Sequence, residues 1–113
     1  MITFEDGPAA GAVLDLRRAP VFLRVVIDRK TNEVDALDLV NDLPTLGEDV
    51  HVYRRIGKAE AYHLKCSPPA ASGMRSRAKY QLYDEQPADH VGRSRRSWEE
   101  WVMFQWEKEQ AIA

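Results

Sequence analysis

The sequence predicts an α+β fold: a mainly antiparallel β-sheet built from hairpins, with a C-terminal amphipathic helix. Three observations carry this prediction. Val21-Phe22-Leu23-Arg24-Val25-Val26-Ile27 is rich in β-branched residues and almost continuously apolar, as a strand covered on both faces would be. Short alternating runs separated by turn residues occupy most of the first eighty positions. Helical periodicity appears only at the end, where Trp98, Trp101, Val102 and Trp106 follow one another at helix spacing. A length of 113 residues fits one domain with one core, spanning 1–113.

Taken in order, Ile2-Thr3-Phe4 begins a short strand. Asp6 to Gly11 is a loop by composition, and Val13–Leu16 is a second strand that ends before Pro20. Val21–Ile27 is the strongest strand and is expected to be central. Asp28-Arg29-Lys30-Thr31-Asn32 reads as the turn after it. Residues 33–42 read as a returning strand in their first half and stay open between strand and helix in their second. Asp49–Ile56 and Ala59–Cys66 form a second hairpin, with Gly57-Lys58 as a type II′ turn. Ser67 to Gly73 is a loop that Met74–Arg77 continues, and Lys79–Tyr83 is the last strand. Ser97 and Glu100 have the S-x-x-E form of a capping box, so the helix is expected over 97–110.

Hydrophobic residues make up 44% and charged residues 30%, which is globular rather than disordered composition. No apolar run reaches the ~20 residues that a membrane helix requires. The N-terminus has neither the basic start nor the apolar stretch of a signal peptide. The single Cys66 has no internal partner, and the expected compartment is the cytoplasm. Net charge is −2, but it is unevenly spread: residues 1–50 carry −5, residues 51–97 carry +6 and residues 98–113 carry −3. Such a balance makes bulk nucleic-acid binding a poor expectation. It allows a local anion site, or the pairing of one copy's acidic part with another's basic part.

The basic middle supplies the leading candidate site. Arg54, Arg55, Arg75, Arg77, Lys79, Arg93, Arg95 and Arg96 are interleaved with Tyr53 and Tyr80, and Lys58, Lys65, Tyr62, Tyr83 and Trp98 lie among them. Guanidinium forks suit phosphate and aromatic rings suit a base, so this set suggests an anionic, nucleotide-type ligand held by Arg-rich loops. Ser72-Gly73 would add backbone donors in a turn. By analogy alone, a small phage or bacterial protein that sequesters a host signal has this description.

The helix supplies the second candidate. Its apolar arc exceeds the ~100° stripe that one sheet covers, which predicts a homo-oligomer whose interface holds Trp98, Trp101, Val102, Phe104 and Trp106. A protein-interaction or inhibitor module is therefore the alternative to ligand binding. An enzyme with a His/Asp site ranks third. His51 and His63 are expected on paired strands, but His90 is remote and zinc spacing is absent, so no metal and no cofactor are expected. Asp35, Asp38 and Asp42 would share one side of a helix, an arrangement more common on a solvated face than around Mg²⁺. Gly57-Lys58 is no P-loop, because Val52 stands where its first glycine belongs.

Overall fold

The computed structural model describes residues 1–37, 47–63, 74–83 and 95–112. They form a six-stranded, mostly antiparallel sheet and one C-terminal helix, an α+β arrangement with a sheet-rich core. The strands are β1 (Ile2–Phe4), β2 (Val13–Leu14), β3 (Phe22–Asp28), β4 (Val34–Ala36), β5 (Glu48–His63) and β6 (Met74–Leu82), and α1 is Arg95–Ile112. Across the sheet the order is β2-β1-β6-β5-β3-β4. Only β1 and β6 run parallel, with Ile2 beside Ala78 and Phe4 beside Tyr80.

β3 and β4 are antiparallel, with Val25 opposite Ala36 and Ile27 opposite Val34. The turn between them is built by Asp28, whose Oδ1 accepts the backbone N–H groups of Lys30 at 2.7 Å and Thr31 at 3.1 Å. Asn32 takes the left-handed conformation at φ 61°, which a short amide side chain tolerates. β3 is buried on both faces as its composition predicts, yet it lies next to the edge strand rather than at the centre. The second half of 33–42 lies outside the described residues.

The expected hairpin at Gly57-Lys58 does not form. β5 runs unbroken for 16 residues from Glu48 to His63. Gly57 has a positive φ of 71°, as the turn would require, but it serves a bulge instead. Ile56 faces Lys79 and Glu60 faces Arg77, so β5 carries two more residues than β6 across this step. Glycine supplies the left-handed backbone that lets the strand absorb the excess and continue. β6 is also longer than expected. Met74–Arg77 belongs to the strand because Ser76 turns inward, its N–H donating to the carbonyl of Leu16 and its Oγ to that of Arg17, both at 2.8 Å.

The sheet is covered on two sides. On one side the segment from Glu5 to Pro20 packs over Ile2, Phe4, Leu23, Val25, Tyr53, Ala78 and Tyr80. Tyr53 anchors that segment: its hydroxyl donates to the Asp6 carbonyl at 3.0 Å and accepts from the Ala9 N–H at 2.9 Å. Gly7 passes so close that a Cβ there would lie 2.6 Å from the Tyr53 hydroxyl. On the other side α1 lies over Phe22 and Val52, burying Trp98 with Trp101 and Val102 beside it.

The helix begins at Arg95, so Ser97 falls inside the first turn instead of capping it. The first turn holds no acidic residue, and Glu99 and Glu100 come one turn later. The expected capping box is therefore corrected. The helix continues to Ile112, slightly past the predicted end.

Candidate functional site

The cross-strand register fixes which side chains share a face. Phe22 pairs with Arg54 and Arg54 with Gln81, so all three lie in one row beneath the helix side of the sheet. Alternation along β6 then places Arg75, Arg77 and Lys79 on that same side, while Ser76, Ala78 and Tyr80 are buried on the other. A second row crosses the sheet through Val13, Thr3, Lys79 and Ile56. Helix α1 packs over Phe22 of β3 and Val52 of β5, with Tyr83 at the end of β6 against it. Beside it, the β6 part of the same face lies open, with Arg77 and Lys79 side chains 58% and 70% exposed.

The sequence-predicted ligand residues divide into four groups. Arg54 forms a bidentate pair with Glu109 of α1, its Nε and Nη2 lying 2.9–3.1 Å from the two carboxylate oxygens. Arg55 donates to the carbonyls of Gly57 and Ala19. These two arginines therefore tie the structure together. Tyr53 and Tyr80 are fully buried, with Phe4 between them at ring distances of 4.8 and 6.0 Å. Neither ring is open to a stacking base. Arg75, Arg77 and Lys79 form the one row that the expectation and the geometry share. Arg77 also lies over the ring of Tyr62 at 4.9 Å. Arg95 and Arg96 open α1, and Arg93 lies outside the described residues.

The five predicted interface residues divide too. Trp98, Trp101 and Val102 pack on the chain's own sheet. Trp98 and Trp101 stack at 4.8 Å, and Trp101 meets Phe22 and Tyr83 edge-on at 5.5 and 6.1 Å. The packed stripe continues through Gln105, which accepts the Tyr83 hydroxyl at 3.1 Å, and ends at Glu109. Gln105 is buried in this stripe, whereas its neighbour Trp106 is not. Trp106 is 38% exposed, and Phe104 and Met103 are 62% and 56% exposed. Glu99, Glu100, Met103, Phe104 and Glu107 line a shallow depression on this outward side.

One residue in this region escaped the sequence reading altogether. Arg24 is fully buried in β3, and its guanidinium lies over the Trp98 ring at 4.8 Å. The available signal was a single cation inside an otherwise apolar strand. Opposite it in β5 stands Val52, on the face that α1 covers. A guanidinium, flat and weakly hydrated, is the cation best suited to an aromatic face.

The histidine expectation is corrected by the loss of the hairpin. His51 and His63 lie on the same strand, twelve positions apart, roughly 35–40 Å at strand rise. Among the described residues no group of three or more His, Cys, Asp and Glu is placed to hold a metal ion. Asp35 accepts the Ala36 N–H at 2.8 Å in β4, while Asp38, Asp42, Cys66, Ser72, Gly73 and His90 lie outside the described residues. No helix among the described residues is long and apolar enough to cross a membrane. Compared with protein-family models, curated proteins and solved structures, the chain matches none.

Proposed function

We propose that this chain is a non-enzymatic protein-interaction module that docks through the outward side of α1. The observation that carries this reading is the neighbouring pair Met103 and Phe104, exposed in one depression while three other apolar residues of the same helix already satisfy the sheet. Scattered surface apolar residues need no explanation, but neighbouring large ones on one helix mark a contact surface. Exposed carboxylates of Glu99, Glu100 and Glu107 stand around Met103 and Phe104. The matching surface is therefore apolar at its centre and basic at its rim.

The anionic-ligand reading takes second place. It keeps the row Arg75, Arg77 and Lys79 with Tyr62, but it loses Arg54, Arg55, Tyr53 and Tyr80 to structural roles. Calorimetry with mono-, di- and cyclic nucleotides decides it, since a binder would lose tenfold or more on Arg77→Ala.

A photoreactive crosslinker placed at position 104 tests the leading reading in cells. The expected result is a discrete adduct that disappears on Met103→Glu. Absence of any such adduct would overturn the reading. The fold control is a comparison of truncations: Trp98→Ala should cost about 3–5 kcal/mol, whereas Phe104→Ala should stay within about 0.5 kcal/mol of the parent. A large loss at Phe104 would mean that its exposure is not the native condition.

A further inference from the structure

We infer that the partner of α1 is a second copy of this chain, bound reciprocally: the helix of each copy lies on the open β6–β5 face of the other. This deepens the docking function proposed above and rests on it. The first support is position. Helix and open face stand on the same side of one sheet, because the row Phe22–Arg54–Gln81 runs from beneath α1 onto β6. The molecule thus presents a step. A helix about 10 Å thick forms the ridge, and the uncovered strands form the shelf. Two steps related by a twofold axis interlock, ridge on shelf and shelf under ridge, so both contacts form at once and the assembly closes.

The second support is chemistry. The shelf carries Arg77 and Lys79, with Ile56 and Val13 exposed by 40% and 56% in the row through Lys79. The ridge carries Met103 and Phe104 with the carboxylate of Glu107 next to them. Apolar meets apolar and cation meets carboxylate in either direction. Arg77 and Lys79 now face Glu60 at 3.7 Å and Glu5 at 4.0 Å. Both pairs are long and exposed, so they hold their cations weakly and yield readily to a second carboxylate. The opposite charges of the basic middle and the acidic C-terminal segment acquire a use in this arrangement.

The test is a pair of charge reversals followed by light scattering over a concentration series. Variant one carries Glu100→Lys and Glu107→Lys; variant two carries Arg77→Glu and Lys79→Glu. All four side chains are on the surface, and circular dichroism verifies that each variant is folded. The parent should dimerise, and each variant alone should dimerise at least tenfold more weakly. An equimolar mixture should recover the parent affinity, because reversed helix on reversed shelf and native helix on native shelf both become favourable. A parent that stays monomeric at high micromolar concentration overturns the inference. So does a dimer indifferent to the reversals, or a mixture that fails to recover. Should position 104 crosslink instead to a different protein, the docking function stands and the second-copy inference falls.

Discussion

The single side chains that matter most are those whose polar tips are fixed by backbone. Tyr53 is the clearest: its ring lies in the core and its hydroxyl holds two groups of the segment that covers it. Tyr53→Phe should cost about 1–3 kcal/mol, since the Ala9 N–H is then left without its acceptor. Burial outweighs the opposing Ala9 hydrogen bond and raises the Tyr53 phenol above its ordinary value of 10.0. The folded chain therefore holds that proton more tightly than the unfolded chain. Its contribution is complete below about pH 10 and is lost as pH rises through the folded value. Denaturation midpoints taken upward from pH 9 should fall less steeply in Tyr53→Phe. Asp28 has the opposite sign. The N–H groups of Thr31 and Lys30 hold its carboxyl below the ordinary 3.8. That contribution is present above the ordinary value and disappears as pH falls through the lowered one. Asp28→Asn should therefore flatten the acid limb, and an unchanged limb would assign the acid sensitivity to other carboxylates.

At the scale of elements, the instructive case is Gly57. A glycine at positive φ between two alternating runs satisfies a two-residue turn and a bulge equally well, because both require the same backbone conformation. What separates them is whether the flanking runs pair with each other or with a third strand. That depends on β6, whose first half reads as loop in the sequence because its outward residues are charged. Gly57→Ala should cost about 1–2 kcal/mol although a Cβ there meets nothing within 4 Å, since the expense is conformational. A neutral result would mean that the bulge relocates. The strands β1 and β3 and the last helix were legible because their patterns admit one period each, whereas β4 lies in a stretch that fits strand and helix alike. The direction that α1 faces was not, since Trp98 to Trp106 can be aligned on two adjacent stripes. Arg24 and Arg54 select between them, the first beneath Trp98 and the second bound to Glu109. Arg54→Ala and Glu109→Ala, measured singly and together, should show a coupling of about 1 kcal/mol. Additive effects would leave the helix held by its aromatic stripe alone.

For the whole molecule, the legible part of the candidate site was its residue types. The illegible part was which of them the fold consumes: Tyr53, Tyr80, Arg54 and Arg55 hold strands, loops and helix together. The same sheet has a temporal side. Ile2 rests beside Ala78, so the first strand of the sequence completes the sheet only after nearly all the others exist. A ribosome adding 5–20 residues per second needs roughly 4–15 s to reach the partner of β1. Contacts so distant along the chain are expected to form late, so Ile2→Ala should speed unfolding in stopped-flow traces and leave refolding nearly unchanged. A slowed refolding phase would place β1 in the nucleus. Throughout those seconds the nascent chain carries Ile2 and Phe4 without their sheet, open to any cellular factor that shields emerging apolar segments.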